Sequence, residues 1–437
     1  VMRLPAFVAG VAVVPAAYAA WDALGDADEA LVAAALAAVA TPLVLYSANA
    51  RGYAMVVLCS LLLVPLAARL LRRRDLAAWG GFCVVAAAAF HAIPIALYPV
   101  GAVLVWLVLS GRSGEGESPG SEARRPRSDL LREAGVAAAV IGVAVGWLYL
   151  PAVQLSGLPS IVSNRFVQPS PVGEFAAGLP GFFASVWGTW TAGWPAAAAV
   201  ALGGLALLGL GRDPGLTGDA GGSPGAASYP AVALAWSVLL LLAGRRVPFA
   251  RVWLFLAPVF GLLVARGIGW ALHRWRGGGV GSESEPQRGD AGTAGARRGG
   301  WHRVAAPAAA VLLLAGLGGS VVARNSVVES PATDPYRDGE EAARLLRDRM
   351  EEGDGLLALG PSEVVLEYWF THLGVSPDRV NSQPRPAGRL YVVVHEAEGQ
   401  TLPEIMAELG VAGSRRTRTR TVAEMEHSTL YVLLPPE

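Results

Sequence analysis

The chain has 437 residues, of which 53% are hydrophobic and only 16% are charged, and its mean hydropathy is +0.43. Soluble domains carry about 25% charged residues, so this composition excludes an ordinary cytosolic enzyme and a disordered chain. The formal net charge is +0, which gives no support to a nucleic-acid partner. Cys59 and Cys83 both lie in apolar runs, so they indicate neither a disulfide framework nor a metal cluster.

Apolar segments of membrane-spanning length recur along the first three quarters of the chain. The opening Arg3-Leu4-Pro5 leads into a stretch that is long enough to span and is not a removable signal peptide. The segments lie at about 4–21, 30–46, 53–70, 76–91, 92–109, 134–151, 194–211, 229–243, 249–271 and 303–323. Each must be helical, because lipid offers no partner to backbone N–H and C=O groups. The sequence therefore predicts an all-α polytopic membrane bundle of about ten helices over 1–325.

Arginine in the short loops predicts the orientation of the bundle, because cytoplasmic loops are enriched in basic residues. All 35 basic residues are arginine, since no lysine occurs. Three clusters fall in alternate loops: Arg69 and Arg72 to Arg74; Arg112, Arg124, Arg125, Arg127 and Arg132; and Arg274, Arg276, Arg297, Arg298 and Arg303. These loops are expected to be cytoplasmic. Val1 and the C-terminal tail are then expected on the outer side, in a multi-pass protein of the cell membrane.

The outer side is predicted to carry a long loop, 152–193, and a small extracytoplasmic α/β domain, 326–437. The loop contains Phe182, Phe183, Trp187, Trp190 and Trp194, which suit either a helix lying in the interface or an aromatic belt before the next span. In the tail, helical patterns at 336–351, 363–373 and 401–409 alternate with apolar runs at 355–359, 390–395 and 429–434. Alternating helices and strands are typical of an α/β domain.

Five arginines depart from the orientation rule, because they fall on the predicted outer side: Arg51, Arg165, Arg245, Arg246 and Arg251. All lie at or near span ends, where a guanidinium group reaches headgroup depth. Planar guanidinium groups bind phosphate oxygens in pairs, so these residues are candidates for holding a lipid phosphate or diphosphate. The alternative is that Arg51 and Arg251 only anchor helix ends to phospholipid.

Together these residues carry a family resemblance. Arg3-Leu4-Pro5 before an apolar span, the alanine-rich second span, the Tyr46–Tyr53 loop, His91, and the Pro248–Pro258 stretch are similar in order and spacing to family 39 glycosyltransferases. These membrane enzymes are related to the protein mannosyltransferases and to the lipid A aminoarabinose transferase. The resemblance covers roughly residues 1–270, and the Tyr-Ser-x-x-Ala-Arg-x-Tyr loop is its most specific part.

The resemblance implies a C-type glycosyltransferase fold and transfer of a sugar from a polyprenyl phosphate to an acceptor hydroxyl at the outer face. Arg51, Tyr53 and Arg251 match family positions and are expected to bind the donor phosphate, which is also the leaving group. Arg245 and Arg246 are expected to add charge without a motif match. Tyr46, Asn49 and His91 complete the expected pocket.

Two departures affect the expected donor contacts, and a third affects the catalytic base. Asn49 stands where many members have glutamate, and Val252 where they usually have tyrosine. The family's first span and its catalytic aspartate are expected upstream of Val1, so the catalytic residue is unknown. Glu174 is a weak substitute base. A rival placement takes Asp26-Ala27-Asp28-Glu29 as the acidic site, although parity puts that loop inside and such residues more often cap the following helix.

The sequence therefore predicts an inverting hexosyl or pentosyl transferase of the cell envelope. Its partners are expected to be the membrane, a polyprenyl-phosphate sugar and a lipid, glycan or protein acceptor. No cofactor is indicated, and the use of a divalent metal is left open. Two alternatives remain: a non-catalytic lipid- or glycan-binding subunit, and a transporter or flippase of lipid-linked sugars, for which inverted repeats and buried mid-span charges are expected.

Overall fold

A computed structural model of the chain shows two compact units, Val1–Val327 and Val328–Glu437. The structure describes residues 3–24, 27–49, 51–112, 125–157, 169–211, 228–277, 302–327, 336–385, 388–396, 399–408 and 418–434. In these residues the first unit is helical and the second combines helices with a four-stranded sheet. The predicted helical membrane bundle followed by a small α/β domain is confirmed.

The helices of the first unit follow the predicted apolar segments. They are α1 (Leu4–Asp22), α2 (Ala27–Val39), α3 (Thr41–Ala48), α4 (Tyr53–Arg72), α5 (Leu76–Ala92), α6 (Leu97–Leu109), α7 (Arg127–Ser156), α8 (Val172–Trp190), α9 (Ala196–Gly211), α10 (Tyr229–Gly244), α11 (Ala257–Gly277), α12 (His302–Leu313) and α13 (Gly319–Ala323). Short 3₁₀ segments, Pro94–Ala96 and Ala250–Leu256, precede α6 and α11, and a π-helical turn, Leu314–Gly318, joins α12 to α13.

Several of these helices have the length and hydropathy that crossing a membrane requires. Within the described residues, five reach that length alone, and the bent pair of α2 and α3 makes a sixth. The two halves of the pair meet at 57°, at Thr41-Pro42, where the proline lacks the N–H that would continue the hydrogen-bond ladder. This chain is a multi-pass membrane protein.

The predicted outer loop contains a helix of its own. Helix α8 fills the second half of 152–193, and its aromatic residues contact rings of a later segment, with Phe182 buried while Phe183 and Trp187 are partly exposed. The rings of Phe182 and Phe183 lie 5.1 and 5.7 Å from that of Trp253, and those of Trp187 and Trp190 both lie 5.9 Å from Phe260. Helix α8 is therefore attached along one side to the 250–256 segment and the first turn of α11.

Helices α9 and α11 cross at two glycines. A Cβ on Gly209 would overlap the carbonyl oxygen of Leu263, and a Cβ on Gly267 would overlap that of Leu205. Small residues at a crossing allow two helix backbones to touch, and close van der Waals contact replaces the hydrophobic effect inside a bilayer. The crossing fixes α11, which continues the segment that carries Arg251.

Helix α4 runs from one end of the helical unit to the other. It has 20 residues, which at 1.5 Å per residue separates Tyr53 from Arg72 by about 30 Å, close to the thickness of the hydrocarbon core. We call these the Tyr53 end and the Arg72 end of the unit. Each therefore lies near a different membrane surface.

The second unit is a three-layer α/β domain. Its helices are α14 (Gly339–Arg349), α15 (Ser362–His372) and α16 (Leu402–Glu408), and its strands are β1 (Gly355–Ala358), β2 (Leu390–Val394), β3 (Arg418–Glu424) and β4 (Thr429–Leu434). The strand order is β1-β2-β4-β3, with β1 and β2 parallel and the remaining pairs antiparallel. Strands β1 and β2 are buried on both faces, which explains their continuous apolar sequences.

Strand β3 was not predicted, because its composition is that of an exposed edge. It begins Arg418-Thr419-Arg420-Thr421, and these four residues are exposed. Charged side chains protect an edge strand from pairing with another chain, but they also remove the alternation of apolar and polar residues that identifies a strand.

Helix α15 contains the aromatic stretch Glu367–Phe370. Phe370 is buried in the core of the domain, whereas Tyr368 is 54% exposed.

Asp354 joins the starts of the two parallel strands. Its carboxylate accepts hydrogen bonds from the backbone N–H groups of Glu351 (2.9 Å) and Arg389 (2.8 Å), and it pairs with the Arg389 guanidinium at 2.9 Å. Burial opposes ionisation of this group, but the donated hydrogen bonds outweigh burial and hold the pKa of the Asp354 carboxyl below its ordinary value.

This arrangement predicts a pH-dependent contribution to the stability of the sheet. Because the pKa is lowered on folding, the contribution is present above the unfolded pKa of about 3.9 and is lost as pH falls through the folded value. We expect Asp354→Asn to lower the opening free energy of β1 amides by about 1 to 2 kcal/mol at pH 7. Hydrogen exchange on the full chain measures this, and the gap should narrow as pH falls below the unfolded pKa and close once the folded carboxyl is protonated. The control is Asp348→Asn, whose carboxylate pairs with Arg347 at the surface.

Candidate functional site

Two phenols, one phenyl ring and one guanidinium group meet at the Tyr53 end. Tyr53 is the first residue of α4, and Tyr46 lies near the end of α3. Arg251 lies in the 3₁₀ segment before α11, and Phe249 precedes that segment. We call Tyr46, Tyr53, Phe249 and Arg251 the tyrosine–arginine cluster. The chain brings together residues that are about 200 positions apart because α3, α4 and the 250–256 segment all have ends at this surface.

The guanidinium of Arg251 is held on several sides. Its Nε donates a hydrogen bond to the Tyr53 hydroxyl at 3.0 Å, and its Cζ lies 4.1 Å from the centre of the Phe249 ring. The Tyr46 hydroxyl lies within range of the Arg251 charge. The rings of Tyr46 and Tyr53 are 5.0 Å apart. Hydrogen bonding and ring stacking together fix the direction of the Arg251 side chain while leaving further N–H donors for a ligand.

Arg51 adds a second positive charge beside the cluster. It is exposed in the turn before α4, and its charge acts on the Tyr46 hydroxyl together with that of Arg251. Neither arginine forms an ion pair with a carboxylate in the part of the chain that the structure describes. Two cations without a protein counter-ion at a membrane surface attract an anion from outside the chain.

The turn that carries Arg51 packs tightly against the end of α5. A Cβ on Gly52 would lie 2.8 Å from the Ala92 carbonyl oxygen and 3.1 Å from the Ile93 side chain. His91 is exposed in the same turn of α5. It therefore neighbours the Arg51 turn, but it forms no described contact with the tyrosine–arginine cluster.

The sequence-predicted residues divide into two groups in the structure. Arg51, Tyr53, Arg251 and Tyr46 come together, and Asn49 is half-buried at the end of α3 next to them. Arg245 and Arg246 are exposed at the end of α10, where the Arg245 carbonyl accepts from the Ser170 N–H, and no described contact joins them to the cluster. Arg165 lies outside the described residues.

The carboxylates that the sequence offered as candidates lie apart from the cluster. Glu174 is exposed in the first turn of α8, and no described contact joins it to Arg251. Glu29 lies in the first turn of α2 and pairs with Arg266 of α11 at 3.2 Å, so it has a structural partner; Asp26 lies outside the described residues. No group of three or more His, Cys, Asp or Glu side chains comes together in the described parts.

An apolar groove of about 350 Å³ runs along the first turns of α11. It is lined by Trp187 and Trp190 of α8, by α9 residues, and by Leu256, Val259 and Phe260. It begins five residues after Arg251 on the same helical segment. The sequence analysis did not predict this groove, because it depends on the tertiary contact between α8 and α11. It also did not predict that Phe249 stacks on Arg251. The aromatic residues of 182–194 were the sequence signal that could have indicated the groove.

The Gly52 contact makes a prediction about the Arg51 turn. Gly52 has an ordinary backbone conformation, with φ −69, so Gly52→Ala adds only the steric conflict with Ala92 and Ile93. We expect a loss of about 1 to 3 kcal/mol in the free energy of unfolding, measured by denaturation of the full chain in detergent. Gly135→Ala is the control, because its Cβ would meet nothing within 4 Å; equal effects of the two changes would contradict the prediction.

The described residues thus define a multi-pass membrane protein with a cationic, tyrosine-lined site at one surface. No family model matches the chain, and no curated protein matches it in sequence. Two solved structures with a similar backbone are ArnT from Cupriavidus metallidurans in the apo state, with a TM-score of 0.45, and ArnT from the same organism bound to undecaprenyl phosphate, with 0.44. Each is 13% identical over 100% of this chain, covering 84% and 85% of those chains.

Proposed function

We propose that this chain is an integral-membrane glycosyltransferase of the C-type fold that takes a sugar from a polyprenyl-phosphate carrier. One observation carries the proposal: Arg251 is held by Tyr53 and Phe249, with Arg51 beside it, and neither charge has a carboxylate partner in the described residues. A lipid phosphate supplies the missing anion at the depth where helix ends meet the headgroups.

The neighbouring groove supports an isoprenoid chain as the other part of the ligand. It is apolar, and it starts beside the 3₁₀ segment that carries Arg251. A polyprenyl phosphate combines an anionic head with a long branched hydrocarbon, so the cluster suits its head and the groove suits the first part of its tail. The walls formed by Trp187, Trp190 and Phe260 offer flat surfaces to isoprene units.

In the proposed reaction, the bond from the anomeric carbon to the phosphate oxygen breaks while a bond from the acceptor oxygen to that carbon forms. The electron pair of the broken bond goes to the phosphate, and the acceptor proton goes to a base. Arg251 and Arg51 stabilise the charge that develops on the departing phosphate. A single displacement inverts the configuration at the anomeric carbon.

We assign the cluster to donor binding and not to acceptor activation, because its charged groups are arginines, which cannot accept a proton from the acceptor. Glu174 is the carboxylate that this chain offers as a base at the predicted outer side, and it has no described contact with the cluster. This separation favours one alternative, in which the chain binds a lipid-linked sugar without transferring it. We place the cluster and the α/β unit on the extracytoplasmic side, as the distribution of arginine predicts.

A binding experiment tests the anionic head and a transfer experiment tests the chemistry. The purified full chain should retain a polyprenyl phosphate at least tenfold more strongly than the polyprenol of the same length, because only the first carries the phosphate. Equal retention would overturn the proposal. With a polyprenyl-phosphate sugar and a membrane extract as acceptor source, the enzyme should release free polyprenyl phosphate. Tight binding without release would establish the binding subunit instead.

A further inference from the structure

A second groove lies at the Arg72 end, about 30 Å from the tyrosine–arginine cluster along α4. It has a volume of about 740 Å³ and runs between the first turns of α5 and the first third of α7. Its floor is apolar and is formed by Trp79 and Cys83 on one side and by Val136, Ala137 and Val140 on the other. The proposed glycosyl transfer makes no use of this groove.

The polar end of the groove is built around one neutralised carboxylate. Glu133 accepts two hydrogen bonds from Arg125, at 2.7 and 2.9 Å, one from Arg74 at 3.1 Å and one from the Trp79 indole at 2.8 Å. Arg125 is only 8% exposed, so this network is part of the packed structure. The hydrogen bond to Glu133 fixes the indole of Trp79, which forms part of the groove floor.

The polar end carries an excess of positive charge. Asp75 also lines the groove, but its negative charge is paired with Arg69 and Arg73, which lie outside the lining. Arg132 lines the groove, is exposed, and forms no ion pair with any residue that the structure describes. With Arg74 and Arg125 sharing the single charge of Glu133, the end of the groove is cationic and complementary to a phosphodiester.

The remainder of the groove faces the bilayer. Val136 is 62% exposed, Val140 is 50% exposed, and Leu76 at the mouth is 89% exposed. Valines four residues apart lie one above the other on a helix, so the apolar floor follows the membrane normal for at least one turn, about 5 to 6 Å. An occupant must therefore combine a headgroup at the Arg72 end with a hydrocarbon chain that enters the bilayer.

We propose that this groove binds an anionic glycerophospholipid, with the phosphodiester on Arg74 and Arg132 and one acyl chain along Trp79, Val136 and Val140. Charge selects the anionic lipid over a zwitterionic one, since a choline group would meet the same arginines. The bound lipid would add a further contact between α5 and α7, two helices that pack together and are also linked by the Glu133 network and by Tyr149, whose hydroxyl donates to the Phe90 carbonyl. This inference is independent of the proposed glycosyl transfer.

Lipid retention by the purified full chain tests the site. Native mass spectrometry after equal loading with dioleoyl phosphatidylglycerol and dioleoyl phosphatidylcholine should show preferential retention of phosphatidylglycerol. Arg132→Gln should reduce that preference by about three- to tenfold. The matched control is Arg72→Gln, which removes an exposed arginine from the same end but outside the groove and should leave the preference unchanged.

A second variant separates the contribution of the apolar groove to lipid binding from that of the arginine charges. Val136→Trp fills part of the groove floor from an exposed position, where a larger side chain does not disturb the packed core, and it should lower retention of phosphatidylglycerol while every arginine remains. Phosphatidylglycerol with a diazirine in its acyl chain should crosslink to 76–83 and 136–140. Equal retention of the two lipids, an equal loss with Arg72→Gln, or crosslinks elsewhere would overturn the proposal. Binding of a polyprenyl phosphate should not change with Arg132→Gln.

Discussion

Replacing Arg251 with glutamine is expected to weaken binding of a polyprenyl phosphate by about 10- to 100-fold. A hydrogen bond to a charged group contributes about 1.5 to 3 kcal/mol, and each 1.4 kcal/mol is a factor of ten in affinity. Glutamine keeps a donor amide but loses the charge and the paired donors of guanidinium. The measurement is competition between the labelled and unlabelled carrier on the full chain in detergent, and glycosyl release should fall at least as far.

The nearby Arg246 provides the matched control for this change. It is exposed five residues earlier, and no described contact joins it to Tyr53 or Phe249. Arg246→Gln should therefore change binding by less than about threefold, which is the effect of a screened surface charge. Similar losses in the two variants would show that the carrier responds to diffuse charge, and the tyrosine–arginine cluster would no longer account for donor binding.

The position of Tyr53 allows the contribution of its hydroxyl to be separated from that of the charge. Tyr53→Phe removes the acceptor that holds Arg251 Nε at 3.0 Å while keeping the ring near Tyr46. In a double-mutant cycle of Tyr53→Phe and Arg251→Gln, the losses of carrier affinity should be non-additive, because the Tyr53 hydroxyl acts by orienting the Arg251 guanidinium. Additive losses would mean that Tyr53 contacts the ligand on its own.

The second large effect is expected at the crossing of α9 and α11. Gly209→Leu places a side chain against the Leu263 carbonyl, and a backbone group cannot move aside as a side chain can. We expect a loss of about 3 kcal/mol or more in the free energy of unfolding, at or above the top of the ordinary range for an overpacked site, seen as a loss of monodisperse protein after extraction and of the thermal transition in detergent.

Gly204 lies on the same helix and provides the control. A Cβ there would meet nothing within 4 Å, and the residue is exposed, so Gly204→Leu should be tolerated and should even favour helix formation slightly. If both substitutions leave the protein stable, the backbones of α9 and α11 do not touch at this point. The position of Arg251 would then depend on other contacts of α11.

The sequence predicted the elements of the helical unit well because membrane spans have a strong local signal. Each span must satisfy its own backbone and be apolar over its length, so the position of a helix such as α4 or α10 is readable from composition alone. The same reasoning fails where a span is interrupted. The segment 30–46 was predicted as one helix, and the structure shows two helices that meet at 57°.

Strand β3 and helix α7 show two other limits of local patterns. Strand β3 is polar because an edge strand gains its stability from pairing with β4 and not from burial. Helix α7 was predicted over 134–151, but it extends from Arg127 to Ser156. Its first turns are polar, and they are held in place by tertiary bonds to Glu133 that no periodicity reveals.

By itself, the sequence determined that this is a membrane bundle with an α/β tail and that arginines at span ends are the residues to examine, since burying apolar surface and placing charge at headgroup depth are local requirements. Only the tertiary structure decided which arginine lies against the tyrosines. Arg251 bonds Tyr53, which packs on Tyr46, whereas no described contact joins Arg245 or Arg246 to them. Such contacts depend on residues far apart in the chain, and single-residue patterns carry no information about them.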